Sequence, residues 1–110
     1  MARPVTVTIV NNVINVSPPD LSMGPAHNQT IQWDIPQNQT GGWTFPATGI
    51  AISGNTGQFH GPGVVQQGKR FIWQDNNTDN QTYKYTVSVT NGTSTLTLDP
   101  NIINQGETLK

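Results

Sequence analysis

Two imidazoles and six carboxylates carry nearly all the acid–base and hard-donor chemistry this 110-residue chain owns: His27, His60, Asp20, Asp34, Asp75, Asp79, Asp99 and Glu107. There is no cysteine, so thiol nucleophiles, thiolate metal sites and disulfides are absent together. General acid–base work needs two groups held at a fixed mutual geometry, and the carboxylates are scattered with no spacing that pairs them. Asp99-Pro100 reads as a turn former rather than a catalytic group. No Gly-x-Ser-x-Gly elbow, phosphate-cradling Gly-Lys-Ser/Thr loop or His-Glu-x-x-His helix is present. A metal would require the Gly24–Asn28 turn to meet the Ser53–Gly63 loop, joining His27 and His60 with Met23 or an aspartate; His60, within Phe-His-Gly-Pro, is the better placed of the two. The inventory points to a protein that is not an enzyme and uses no cofactor or metal.

Binding chemistry is better represented. Tryptophan and tyrosine can stack sugar rings while Asn, Gln and Asp bond hydroxyls, and all are plentiful. Trp33 alternates with Ile31 and Ile35, and Trp73 with Phe71, so both are expected in the core. Trp43 follows Gly41-Gly42 in a polar stretch and is the freest aromatic, although Phe45 beside it could pin the loop. A second binding surface is a row of hydroxyls: Thr86, Ser88, Thr90, Thr93, Thr95 and Thr97. Such an array can meet an ordered ligand such as ice, face a second protomer, or simply suit a solvated strand. The candidate ligand or interface residues are therefore Trp43, His60, Thr86, Ser88, Thr95 and Thr97.

The hydroxyl row is positioned by a hairpin. Tyr83, Tyr85, Val87 and Val89 alternate with polar residues, Asn91-Gly92 follows, and Leu96 and Leu98 alternate again. Asn-Gly between two period-2 runs predicts a two-residue type I′ turn, which opposes Thr90 to Thr93, Val87 to Leu96 and Tyr85 to Leu98. The same alternation marks strands at Val5–Ile9, Val13–Val16 after an Asn11-Asn12 break, Leu21–Met23, Ile31–Ile35, Ile50–Ile52 and Phe71–Trp73. Pro18-Pro19, Gly24-Pro25 and Pro36 end runs, Trp43 and Phe45 follow the polar loop Gln37–Gly42, Ser53–Gly63 is expected to be a long irregular loop, and Asp75–Asn80 reads as a turn before the hairpin. Ile102 and Ile103 are expected against the core, with fraying over Gln105–Lys110. No 3.6-residue apolar stripe exists, so no helix is expected. Seven to nine short strands imply one all-β domain over residues 1–110, a Greek-key β-sandwich.

Composition narrows the partners. Ten per cent of residues are charged and the net charge is −1, leaving no basic field for nucleic acid or anionic lipid. No stretch approaches the apolar length of a membrane span, and the alternating start of the chain does not read as a signal peptide, so the expected location is cytoplasmic. The Asn-x-Ser/Thr triplets at Asn15, Asn28, Asn38, Asn76, Asn80 and Asn91 then follow from composition alone. Asn, Gln, Thr, Ser and Gly stand where most domains place Lys and Glu, giving a neutral surface that resists association poorly. Edge strands need guarding, and the lysines are only Lys69, Lys84 and Lys110. Lys69 and Arg70 could guard Phe71–Trp73 and Pro4 blunts the first strand, but the hairpin carries only Lys84. A homodimer through the Thr-rich surface or edge is the expected assembly, with a protein or glycan as the further class of ligand.

The order of motifs also resembles a known family. Ile14-x-Val16-x-Pro18, Leu21-x-Met23, Thr30-Ile31-x-Trp33, Phe71 and Tyr83-x-Tyr85-x-Val87 are similar to the cupredoxin succession of strands, over roughly residues 13–90. The likeness implies a cupredoxin-like sandwich, with an immunoglobulin-like one as the alternative. It also implies that the copper site is missing. Blue copper takes two imidazoles, a thiolate and a weak thioether. The family's cysteine position holds Val87, the stretch of its first histidine reads Gln37–Thr40 and then Trp43, and no His or Met follows Val87.

Overall fold

The computed structural model describes residues 2–54 and 57–106 and is all-β. Its strands are β1 (Ala2–Val10), β2 (Val13–Ser17), β3 (Asp20–Ser22), β4 (Gln29–Asp34), β5 (Ile50–Ile52), β6 (Phe59–Val65), β7 (Arg70–Asp75), β8 (Thr82–Thr90), β9 (Thr95–Leu98) and β10 (Asn101–Ile103). Among the described residues the only helical element is a 3₁₀ turn, Gln66–Gly68. One sheet has the order β2-β1-β4-β7-β6; the other has β3-β10-β8-β5, with β9 also on β8.

The two sheets form a sandwich because each strand turns one apolar face inward. Val5, Val7 and Ile9 of β1, Ile31 and Trp33 of β4, and Phe71 of β7 face Tyr83, Tyr85, Val87 and Val89 of β8 and Ile102 of β10, all buried. Each such side chain contributes roughly 1.5–3 kcal/mol, far more than strand propensity, so the alternation decides which way a strand faces. Trp33 and Tyr85 stitch the sheets: the indole Nε1 donates to the phenolic oxygen at 3.1 Å and the rings meet edge-on, centroids 5.3 Å apart. Phe59 and Tyr83 make a second edge-on contact at 4.9 Å.

The chain crosses between sheets at Pro18-Pro19. Before it, β2 pairs antiparallel with β1; after it, β3 pairs parallel with β10. Strand β1 also runs parallel to β4, and Pro4 lies ahead of the β1–β2 ladder, which begins at Thr6. Strand β8 is central. One edge is taken by β9 and then β10, which keep a single register through the Asp99-Pro100 interruption, where Tyr85 N donates to Pro100 O. The other edge is taken by β5 and, beyond it, by a bridge between Thr44 and Thr90.

Four expectations need correction. The type I′ geometry appears at Asn11-Asn12, both at positive φ (53° and 59°), joining β1 to β2 with Val10 opposite Val13. Asn91-Gly92 belongs instead to a four-residue loop: Asn91 Oδ1 accepts from Thr93 N, Thr93 Oγ1 and Ser94 N, which favours an Asx-turn over the tighter hairpin. Val87 therefore opposes Leu98 and Val89 opposes Leu96, a slip of two residues that leaves every side chain on its expected face. The second correction is β6, which occupies much of the expected Ser53–Gly63 loop; Gly61 and Pro62 together oppose Trp73, and this bulge absorbs the residues that looked like breakers.

Third, β7 is an inner strand and needs no guard. Arg70 pairs with Asp34 at 2.6 Å and Lys69 donates to the Trp43 carbonyl. Fourth, Gln105 is held rather than frayed, its N–H donating to Asn77 Oδ1; Glu107 and Lys110 lie outside the described residues.

Candidate functional site

The hairpin places the hydroxyls as its alternation requires. Ser88 stands opposite Thr97 and Thr90 opposite Thr95 on the outer face, with Thr86 next along β8. Thr95 and Thr97 are exposed, Thr86 and Ser88 half-buried. Thr86 Oγ1 donates to Asp99 Oδ1 at 2.9 Å, so the one carboxylate at this border is already engaged. The outer strand of the hairpin is β9, which among the described residues pairs with β8 alone, and Leu98 at its end is 38% exposed.

Trp43 and His60 do not join this face. Trp43 is 4% exposed, which overturns its reading as a free, ring-stacking aromatic. Its neighbours bury it: Thr44 exchanges backbone hydrogen bonds with Thr90, and Phe45 N donates to Gly68 O at 2.7 Å. Gly68 has φ +86°, and a Cβ there would lie 2.9 Å from Thr44 Cβ, so glycine is required where the two segments meet. The pairing of Trp43 with Phe45 at period 2 was the signal for this burial. His60 is exposed on β6, its Nε2 bonded to Asn76 Oδ1 at 2.8 Å. His27 Nε2 donates to the Gly106 carbonyl at 2.6 Å, so the two imidazoles have separate partners. Among the described residues no three His, Cys, Asp or Glu side chains converge as metal ligands.

The aromatic that borders open space is Trp73, expected in the core but only half-buried. Where β5 and β6 end their respective sheets, the sandwich parts into a groove of about 460 Å³ walled by Ile50, Ile52, Phe71 and Trp73, with Gly61 and Gly63 opposite. The Trp73 indole N–H is already donated to Ile50 O at 2.9 Å, so the ring offers this groove only its apolar body. Among the described residues no charged side chain lines it, and the hydroxyl of Thr48 is the polar side-chain group left to it.

A polar cluster that sequence reasoning took for a simple turn fills one end of the sandwich. Asp75, Asn77, Gln29 and Asn104 are all buried. Asp75 continues the inward register of Phe71 and Trp73, and Gln29 that of Ile31 and Trp33; this was the available signal. Gln29 Nε2 donates to the carbonyls of Met23 and Ala26 while its Oε1 accepts from Arg3 Nε. Burial pushes the Asp75 carboxyl up to about 6, with Asp79 adding to the rise while hydrogen bonds from Asn77 and Asn104 and the charge of His60 oppose it. Burial likewise pushes the Tyr85 phenol up to about 12.

No helix among the described residues is long and apolar enough to cross a membrane. No protein-family model matches the chain, and no curated protein matches it.

Proposed function

We propose that this chain is a non-catalytic interaction protein that self-associates through the hydroxyl-bearing face and open edge of its β8–β9 hairpin. The observation that carries the reading is the alignment of Ser88 with Thr97 and Thr90 with Thr95 across β8 and β9, the latter hydrogen-bonded among the described residues to β8 alone, with β2 of the other sheet packed near it but not paired to it. An unguarded neutral edge is a template for another strand, and its hydroxyls can donate and accept across a two-fold axis without desolvating charge. Two copies joined here form a homodimer. The absence of cysteine fits a reducing compartment such as the cytoplasm.

The likeness to cupredoxins is kept as a likeness of fold. Val87, where that family carries its thiolate, is wholly buried on β8 and fills the place with hydrocarbon. The carbohydrate reading loses its anchor with Trp43 in the core, and among the described residues the Trp73 groove has no Asn, Gln or Asp in its lining to bond sugar hydroxyls.

Sedimentation velocity at tens of micromolar tests the proposal, with a species of twice 11.9 kDa as the expected result. Thr95→Lys with Thr97→Lys should split that species while leaving the fold intact, since both side chains point away from the core. A wild-type protein that sediments only as a monomer overturns the reading, and a dimer that survives both lysines moves the interface elsewhere.

A further inference from the structure

We propose that Asp75 carries a proton in the folded protein and that its ionisation releases the segment Asn104–Gly106 from the end of the sandwich. The argument starts from two oxygens. Asp75 Oδ1 accepts from Asn77 N at 2.9 Å and Asn104 Nδ2 at 3.2 Å, but among the described residues Asp75 Oδ2 has no partner. Asn104 Oδ1 has none either, although both residues are at most 1% exposed. Buried acceptors are almost always satisfied, and leaving one without a donor costs about 1–3 kcal/mol. A hydrogen on Oδ2 removes the buried charge and turns one orphaned acceptor into a donor.

The surroundings favour the neutral acid. Asn104 Nδ2 donates to Asp75 Oδ1 and also, at 2.9 Å, to Asp79 Oδ1, so one amide holds two carboxyl groups that repel when both are ionised. From β8 the Tyr83 hydroxyl is spent on Asp79 Oδ2. The neighbours Gln29, from β4, and Asn104, just after β10, are neutral, and the Arg3 cation is committed to Gln29 Oε1 and the Met23 carbonyl. His60, on β6, is the opposing group: its positive charge favours ionised Asp75. His27 is engaged with Gly106 O. Burial outweighs His60, and the carboxyl titrates near 6.

What the proton governs follows from the hydrogen bonds. The turn from Asp75 to Asp79 is the seat of the segment: Gln105 N donates to Asn77 Oδ1, Gly106 N to Asp79 O, and Asn104 Nδ2 to both carboxyl groups. Asn77, at φ 52°, is fixed in turn by Asp75 through its N–H and by the carbonyls of Gly24 and Ala26 through its Nδ2. Gly106 lies so close that a Cβ on it would overlap the Asn77 carbonyl. A charge on Asp75 therefore appears beneath the seat, where among the described residues no cationic side chain bonds Oδ2 and Asp79 repels it. Lifting the segment admits water to both carboxylates.

Carboxyl ¹³C titration by NMR, with amide exchange at Asn104 and Gly106 from pH 4.5 to 8, tests this. Asp75 should titrate near 6, and the protection of both amides, corrected for intrinsic exchange, should fall by about 30-fold between pH 4.5 and that midpoint, about tenfold for each pH unit between a released value near 3.8 and a folded value near 6, and level off above it. Asp75→Asn, which places a neutral NH₂ where the proton was, should keep protection level across that range. An Asp75 that titrates near 4, or protection that is flat in the wild type, overturns the proposal. So does protection recovered at pH 7.5 by CaCl₂ in the wild type alone, since a cation would then be the occupant of the two oxygens. If Asp75→Asn fails to fold, the wild-type titration and exchange decide.

Discussion

Replacing Tyr85 by Phe removes one oxygen from the middle of the sandwich and leaves the ring. Tyr85 is 0% exposed and its hydroxyl accepts the Trp33 indole N–H at 3.1 Å; Trp33 is 0% exposed as well. The edge-on ring contact survives the change, so the apolar term is nearly constant and the loss is polar. A net hydrogen bond is worth about 0.5–1.5 kcal/mol, but here its loss strands a buried N–H that no solvent can reach, and that penalty is about 1–3 kcal/mol. The expected destabilisation is therefore about 1–3 kcal/mol, or roughly 5–15 °C in Tm for a domain of this size. Equilibrium urea unfolding reads it as a lower midpoint at constant m. Trp33→Phe and the double variant complete a cycle in which the second polar deletion costs little once the first has been made. A Tyr85→Phe loss below about 0.5 kcal/mol, or single effects that simply add, would refute the claim that this bond is what joins the sheets at their centre.

Stability should fall from pH 5 to pH 8. Folding favours the acid form of Asp75, so its contribution is complete below about 3.8 and is gone once pH has risen through about 6; the whole gap is worth at most about 3 kcal/mol, of which about 1.4 kcal/mol is lost between pH 5 and pH 8, and denaturation at those two pH values measures that part. Trp33→Ala should cost about 3–5 kcal/mol and Trp73→Ala clearly less, because Trp73 already borders solvent; equal losses by urea unfolding would contradict the half-buried placement. Gly106→Ala should cost about 1–3 kcal/mol and expose the Asn104 amide to exchange, as its Cβ has no room beside Asn77. Added Cu(II) should give no intense thiolate-to-copper band in the visible, since the chain has no cysteine to donate.

What could be read from the sequence was whatever period 2 encodes. Ile31, Trp33 and Ile35 were placed correctly because a strand with one buried face has only one register that keeps them inside. The hairpin face was legible for the same reason, even though the turn was not: a slip of two residues preserves parity, and local bonding by Asn91 chose the loop. Trp43 was only half legible: Phe45 two residues on hinted at burial, but the two glycines before it suggest exposure, and what buries it, Thr90 and Gly68, is distant in sequence. Strand β6 was hidden by Gly61-Pro62-Gly63, whose irregularity the bulge accommodates only because β7 is there to pair on either side of it. Asp75 sat in plain sight at an inward position, but its polarity suggested a turn, and only the three-dimensional meeting with Asn104 and Asp79 gives it a role.

The parallel pairing of β3 with β10 has a kinetic consequence. Asp20 aligns with Asn101 and Ser22 with Ile103, so this rung closes a loop of about three quarters of the chain, while β8 can gather β9 within a few residues. Loop closure must be met before such contacts return anything, and folds rich in distant pairings cross their barrier slowly. On a ribosome the second sheet stays incomplete until Asn101–Ile103 has emerged. During that interval β3 and the lower half of β8 lack their partner, in a chain that places only Lys84 on β8 to discourage a neighbour. Slow, concentration-sensitive refolding with little loss at low protein concentration is the behaviour this order of assembly entails.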